Sequence, residues 1–173
     1  MPAWPPIPYD FLPEVPALAV ESDDVRDGER LPEAQVFDDW GMTGGNISPH
    51  LRWSGAPEGT RSFAVTCFDP DAPTGSGFWH WLLYDLPSDL TELPADAGSA
   101  DAKLGTHARN DFGSLAYGGA APPPGRPHRY LFAVHALGVE SLGLGPDTSA
   151  AVVGFNITAN TLARGFIAPV YET

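Results

Sequence analysis

The chain has 173 residues, of which 43% are hydrophobic and 11% aromatic, so it is long enough to form one domain around its own core. Its net charge is −13, with nine Lys and Arg against 22 Asp and Glu. This charge argues against nucleic acid as a partner and against stable association with an anionic membrane. The 19 Gly and 19 Pro favour many short strands joined by tight turns.

Cysteine content and hydropathy indicate the compartment. Cys67 is the one cysteine and lies in an apolar run, so no intrachain disulfide can form, and we interpret it as a buried side chain. The N-terminus has no basic segment followed by an apolar one, and no stretch approaches the ~20 apolar residues of a membrane span. We therefore expect a cytoplasmic protein.

The first predicted element is a proline-rich arm at 1–16, which holds six prolines. Proline fixes φ and removes a backbone donor, so the arm is expected to be extended. Trp4 and Phe11 favour an arm that packs on the body of the domain or on a second subunit of a homodimer, with a disordered tail as the alternative. Residues 17–173 are expected to form a single domain.

Four segments are predicted to be strands: 48–53, 62–68, 79–86 and 128–137. Nearly continuous apolar runs in 62–68 and 79–86 are typical of strands covered on both faces. The expected fold class is therefore mainly β, an antiparallel β-sandwich with one or two peripheral helices.

A helix is predicted near the C-terminus. Apolar residues there recur at spacings of three and four from Val152 to Phe166. Ser149 is a suitable N-cap, and Gly165 is expected to end the helix.

Two segments carry most of the polar chemistry. The first joins the loop 69–73 (DPDAP) to the run 78–81 (FWHW), in which strand alternation places Phe78, His80 and Leu82 on one face and the two tryptophans on the other. The prolines of the loop limit the movement of its aspartates. We interpret the tryptophans as core residues.

The second segment is 117–130 (YGGAAPPPGRPHRY), a Gly/Pro loop that leads into a strand. Alternation places His128 and Tyr130 on the same face, with Arg129 on the other. The loop glycines, Gly118 and Gly119, would let backbone N–H groups approach a ligand.

If the fold brings the two segments together, they form a small polar pocket. An aspartate beside a histidine favours the imidazolium, whose second N–H can donate to an anion, and Tyr130 adds a neutral donor. Asp71 would remain to face a ligand ammonium, so a phosphate, a carboxylate or a zwitterionic head group fits. The candidate ligand-binding residues are Asp69, Asp71, Pro73, Phe78, His80, Tyr117, Gly118, Gly119, Pro122, Pro123, His128 and Tyr130.

Other interpretations of the same residues stay open. Asp69 and Asp71 can simply shape a turn, and His80 can be a buried histidine bonded to a backbone carbonyl. A hydrolase using a His/Asp pair is one alternative, although no serine or cysteine lies in a nucleophile elbow. A divalent metal site formed by Asp69, Asp71, His80 and His128 is another. We expect a binder with no cofactor and no catalytic residues.

The segments DPDAP, xWHW and YGGxxPPPGxxHRY, in this order and at this spacing, resemble the phosphatidylethanolamine-binding protein (PEBP) family. Its bacterial, Raf-kinase-inhibitor-like branch of YbhB/YbcL type is the most similar, and the resemblance runs from Asn46 to Tyr171. It implies a PEBP-like β-sandwich with an anion-binding pocket. The implied pocket positions are Asp69, His80, His128 and Tyr130, with Pro73, Pro122 and Pro123 as its wall.

The resemblance also implies partners. Inhibition or modulation of a protease or kinase is one expected role, and bacterial relatives are often dimers. Two positions depart from the pattern. Asn160 stands where relatives commonly have a histidine in the C-terminal helix, and Pro124 stands where they commonly have a basic or polar residue.

Overall fold

The computed structural model describes residues 4–173, along which ten strands and one α-helix follow one another. In chain order they are β1 (Ala19–Glu21), β2 (Leu51–Ser54), β3 (Ser62–Asp69), β4 (Phe78–Pro87), β5 (Glu92–Leu93), β6 (Thr106–His107), β7 (His128–Arg129), β8 (Leu131–Leu137), α1 (Ala150–Asn160), β9 (Thr161–Ile167) and β10 (Val170–Tyr171). All strand pairs within the three sheets are antiparallel.

A five-stranded sheet with the order β6-β4-β3-β8-β9 forms the centre of the fold. Its middle strand, β3, is buried along its whole length, which explains the continuous apolar run in the sequence. The predicted strands 62–68 and 79–86 are confirmed to within one residue at each end. The predicted strand 48–53 is shorter than expected and begins at Leu51.

Layers on both faces of the central sheet complete the fold. The three-stranded sheet β1-β2-β5 packs on the inner face, around a core that includes Trp53, Phe63 and Phe132. Helix α1 covers part of the outer face, where Val153 and Ile157 belong to a second apolar cluster. The predicted fold class, a mainly β sandwich with a peripheral helix, is confirmed.

The predicted strand 128–137 is divided in two. β7 pairs with β10, whereas β8 joins the central sheet between β3 and β9. Tyr130 lies between the two strands, and its N–H donates to the carbonyl of Pro169. The division places His128 at the end of the central sheet beside the loop that follows β3.

Helix α1 begins as predicted but ends earlier. The Ser149 hydroxyl accepts a hydrogen bond from the N–H of Val152, as expected of an N-cap. The predicted continuation to Gly165 is wrong, because Thr161–Ile167 pairs with β8 as strand β9. A Cβ at Gly165 would lie 2.2 Å from the Leu18 carbonyl oxygen, so this glycine allows a close backbone approach and does not end a helix.

A β-bulge in β4 changes the predicted alternation of side chains. Cys67 pairs with Trp81 and Phe68 pairs with Trp79, which leaves His80 as an extra residue opposite β3. His80 and Trp81 therefore both face inward, whereas Leu82 joins the apolar cluster beneath α1. The predictions that Trp81 opposes His80 and that Leu82 shares its face are wrong.

The N-terminal arm, whose residues 1–3 lie outside the described range, packs on the body of the same chain from residue 4 onward. Residues Pro8–Asp10 form a 3₁₀ turn. The ring of Tyr9 packs against Phe166, with centroids 5.2 Å apart, and the Arg164 guanidinium lies over it at 4.5 Å. The Arg129 guanidinium lies 4.8 Å from the Trp4 ring centroid. Aromatic and cation–π contacts therefore hold the arm.

None of the helices within residues 4–173 has the length and apolar character that crossing a bilayer requires.

Candidate functional site

A cavity of about 530 Å³ opens on the inner side of the central sheet, where β3 and β4 meet the loop before β7. Its lining comes from both candidate segments of the sequence. Eight of the twelve predicted ligand-binding residues line it: Asp69, Pro73, Phe78, His80, Pro122, Pro123, His128 and Tyr130. The fold therefore brings both imidazoles into one cavity.

Asp69 has two functions at the end of β3. Its Oδ1 accepts a hydrogen bond from the Asp71 N–H (2.8 Å), which shapes the loop. Its Oδ2 lies 2.7 Å from Nδ1 of His128, and both side chains are almost fully buried. A carboxylate accepts, so Nδ1 of His128 carries a proton and the Nε2 atom is left for a ligand.

His80 is held by backbone carbonyls. Its Nδ1 lies 2.8 Å from the Gly118 oxygen and 3.1 Å from the Gly119 oxygen, and because carbonyls accept, Nδ1 is the donor. Burial lowers the pKa of His80, although Asp69 and these carbonyls oppose the shift. The nearby carboxylate acts on the pKa of His80 in the expected direction, but burial outweighs it, so the expected net rise is wrong for His80. The ring is neutral near pH 7, and its Nε2 is an acceptor.

Tyr130 presents an unused hydroxyl to the cavity. The residue is 1% exposed, and its hydroxyl has no hydrogen-bond partner among residues 4–173. Burial, assisted by the charge of Asp69, raises the pKa of Tyr130, so the hydroxyl stays protonated. Its ring meets the His80 ring edge-on, with centroids 5.2 Å apart. Tyr130 is therefore a fixed neutral donor.

The predicted backbone donors of the Gly/Pro loop do not face the cavity. The Gly118 N–H donates to the His80 carbonyl, and the Gly119 N–H donates to Oδ1 of Asn46. The Tyr117 hydroxyl donates to the Gln35 carbonyl. Tyr117, Gly118 and Gly119 therefore lie behind the cavity wall, where the two glycines orient His80 through their carbonyl oxygens.

Asp71 also differs from its expected position. Its carboxylate forms a two-pronged ion pair with Arg129, at 2.9 Å for Nε–Oδ2 and 2.9 Å for Nη2–Oδ1, and the Arg129 N–H donates to it as well. Burial by itself would raise the pKa of Asp71, but these hydrogen bonds outweigh it and lower the pKa. Asp71 is therefore not available to a ligand ammonium, and the expected facing is wrong.

The same ion pair bears on the metal alternative. With Asp71 bound to Arg129, the set Asp69, Asp71, His80 and His128 does not converge on one point. Within residues 4–173 no group of three or more His, Cys, Asp or Glu side chains is arranged to hold a metal ion.

A hydrolase would need a nucleophile beside the His128–Asp69 pair. The Thr74 hydroxyl, on the cavity wall, donates to the Gly77 carbonyl, and the Thr173 hydroxyl donates to the Pro122 carbonyl. Burial raises the pKa of the Cys67 thiol well above its ordinary value. In the described part of the chain, the cavity therefore contains no activated hydroxyl or thiol.

Sequence reasoning missed the aromatic mouth of the cavity, formed by Trp40 and Phe112 together with Phe78. The Phe112 ring lies 4.7 Å from that of Trp40 and 4.8 Å from that of Phe78, centroid to centroid. Trp40 is 62% exposed and has a positive φ of 55°. The available signal was an aromatic residue next to a glycine in an acidic loop.

The remaining histidines and Asn160 lie elsewhere. His50 is buried and contacts the exposed carboxylates of Asp23 and Glu92, and Nε2 of His107 accepts a hydrogen bond from the Trp81 indole. His135 lies on the outer face of the sheet. Asn160 ends α1, where its side-chain amide donates to the Asn156 carbonyl.

Comparisons with known proteins agree with this architecture. The family model for phosphatidylethanolamine-binding protein matches residues 21–172. The UPF0098 protein YbcL of Escherichia coli K12 is 50% identical over 167 residues, which cover 94% of this chain and 91% of YbcL. The UPF0098 protein YbhB of the same organism is 50% identical over 156 residues, which cover 87% of this chain and 98% of YbhB.

Solved structures show the same relationship. The crystal structure of E. coli YbcL, described as a new member of the mammalian PEBP family, superposes with a TM-score of 0.88 at 48% identity. The superposition covers 90% of this chain and 98% of YbcL. A PEBP homologue from Chlamydia trachomatis shares the fold, with a TM-score of 0.76 at 23% identity over 91% of this chain and 98% of its own. Because the family model spans almost the whole domain, the chain belongs to the phosphatidylethanolamine-binding protein family.

Proposed function

We propose that this protein binds a small phosphorylated or otherwise anionic molecule in the 530 Å³ cavity and does not convert it chemically. The observation that carries the proposal is the buried hydroxyl of Tyr130, which has no hydrogen-bond partner in the described part of the chain. A buried polar group without a partner is costly, so a ligand acceptor at this point would remove the cost.

The cavity offers a ligand three polar contacts of different kinds. Tyr130 donates, His128 donates from Nε2 when protonated, and neutral His80 accepts at Nε2. A phosphate monoester in its singly charged form has both the oxygen acceptors and the P–OH donor that this set requires. The proline and aromatic walls suit the organic part of such a ligand.

A zwitterionic head group such as phosphoethanolamine fits the same cavity. With Asp71 bound to Arg129, its ammonium would meet the aromatic mouth formed by Trp40, Phe78 and Phe112. Aromatic faces attract cations, and the cluster is adjacent to the three polar contacts.

Regulation of a protein partner, such as a protease or kinase, is part of the proposal, with exposed Trp40 at the cavity rim as the expected contact. A homodimer is proposed as well, since Phe11 on the arm is 77% exposed. Sedimentation velocity of the full chain measures the oligomeric state directly. A cytoplasmic location stays a prediction.

Titration of phosphate and phosphoethanolamine into Tyr130→Phe tests the proposal. The substitution removes a hydroxyl that bonds to no described residue, so we expect at least a tenfold loss of affinity and an unchanged or raised melting temperature. Tyr117→Phe is the matched control, because its hydroxyl bonds to Gln35 behind the wall. Tyr117→Phe should have a lower melting temperature and an unchanged affinity for phosphate and phosphoethanolamine. Equal affinity of wild type and Tyr130→Phe would overturn the proposal.

A further inference from the structure

A second cavity, of about 340 Å³, lies on the outer face of the central sheet. Its floor is formed by β3, β4 and β8, one side by α1, and the other by the arm at Pro8–Asp10. It is separate from the first cavity, because the central sheet lies between the two. Phe68 and Trp79 line the outer cavity, and Asp69 and His80 line the inner one.

Aromatic and small residues shape this outer cavity. Tyr9, Phe68, Trp79 and Phe155 supply aromatic surface from four different elements. Helix α1 contributes Ala151, Gly154, Phe155 and Thr158, which lie three and four positions apart and therefore share one face. At Gly154 a Cβ would approach the Trp79 ring to 3.0 Å, so the missing side chain keeps the helix close to the ring.

His135 is a buried polar residue in the lining of the outer cavity. It is 4% exposed and lines the cavity, with Nε2 lying 3.0 Å from the Thr66 hydroxyl. Its Nδ1 is buried and has no hydrogen-bond partner among residues 4–173. Burial, with a smaller contribution from Arg164, lowers the pKa of His135 to about 3, so the ring is neutral. Such an unpaired nitrogen calls for a partner.

We propose that the outer cavity is a second binding site, which takes a small neutral aromatic molecule whose single hydrogen-bonding group meets His135. The described lining contains no Asp, Glu, Lys or Arg, so it offers nothing to a charged ligand. The surrounding rings favour edge-to-face contact with another ring. The volume lies at the lower end of the about 300–1,000 Å³ of small-molecule sites, which fits a molecule of one or two rings.

Two probes of similar size, phenol and toluene, test the polar contact. Phenol should shift the amide NMR signals of α1 and β8 in the full chain, and its binding should be measurable by calorimetry. Toluene should bind with lower affinity than phenol. The substitution His135→Phe keeps a ring of similar shape and removes the nitrogens. This variant should bind phenol with at least tenfold lower affinity, and its affinity for toluene should stay within twofold of the wild-type value.

A second variant tests the cavity itself. Ala151→Leu places a larger side chain on the face of α1 that lines the cavity and should abolish binding of both probes. Val152→Leu, at an exposed position of the same helix that does not line the cavity, is the matched control and should bind normally. His128→Ala should leave phenol binding unchanged, which separates this site from the phosphate site. Absence of phenol-induced shifts, or shifts that survive Ala151→Leu, would overturn the proposal.

Discussion

His80 and His128 line one cavity with the same side chain, yet different groups hold the two rings. His80 donates from Nδ1 to two carbonyls, and burial lowers its pKa. His128 donates from Nδ1 to the Asp69 carboxylate. Neutral backbone carbonyls therefore orient one ring, and a carboxylate orients the other.

This difference predicts a role for His128 in anion binding. His128→Gln removes the imidazole that bonds to Asp69 and lines the cavity, so the variant should bind sulfate weakly. Calorimetric titration of sulfate into both proteins measures the change. Equal sulfate affinity of the variant and the wild type would contradict the role of His128.

The Asp71–Arg129 pair is predicted to act on stability. Asp71→Asn leaves a buried guanidinium without its charge partner, so the free energy of unfolding should fall by about 3 kcal/mol or more. Denaturant unfolding measures this. The exposed pair of Asp23 with Arg52 provides the control, and Asp23→Asn should change stability little. Equal effects of the two variants would show that burial of the pair is unimportant.

At the scale of elements, apolar runs were sufficient to predict the central strands but not their irregularities. A strand that is buried on both faces has a continuous apolar sequence, so 62–68 and 79–86 could be predicted as strands. The bulge at His80 depends on pairing with β3, and the end of α1 depends on pairing with β8. Neither pairing can be recognised in the local sequence, because a short apolar run is compatible with both the alternation of a strand and the spacing of a helix.

The candidate site could also be predicted only in part from the sequence. Its histidines and Tyr130 stood beside Gly/Pro loops, where polar side chains suggest a site. The ion pair of Asp71 with Arg129 was hidden, because it joins residues 58 positions apart. The glycines 118 and 119 were expected to donate N–H groups, but only the folded loop shows that their carbonyls face His80.

The loop that holds His80 gives a prediction at this scale. Gly119→Ala would place a Cβ 2.4 Å from the Gln35 carbonyl oxygen, so the loop must shift. We expect a loss of about 1–3 kcal/mol in stability and weaker phosphate binding, because the Gly119 carbonyl orients His80. Gly145→Ala, where a Cβ meets nothing within 4 Å, should be silent. Thermal unfolding and phosphate titration of both variants provide the check.

For the whole molecule, buried neutral histidines predict sensitivity to acid. Folding lowers the pKa of His135 from 6.5 to about 3 and that of His107 from 6.5 to about 4, chiefly by burial. The folded state then binds fewer protons than the unfolded state, so the stability these groups contribute is complete above pH 6.5 and is lost as pH falls.

Unfolding free energies between pH 7 and pH 4.5 measure this loss. Each such histidine steepens the decline by about 1.4 kcal/mol per pH unit below its unfolded pKa. The curve for His135→Phe should therefore be shallower than that of the wild type by about this slope. Parallel curves for the two proteins would show that His135 does not titrate on unfolding.

Strands β3 and β4 form a partition one backbone thick, with the cavity proposed for an anion on one side and the cavity proposed for an aromatic molecule on the other. Phe68 and Trp79 face one cavity and their neighbours Asp69 and His80 face the other, so a movement of the backbone between them affects both cavities. If a ligand in one cavity changes the affinity of the other cavity for its own ligand, thermodynamics requires the second ligand to change the affinity for the first by the same factor. The affinities of two ligands that make no contact would then be coupled through one layer of backbone.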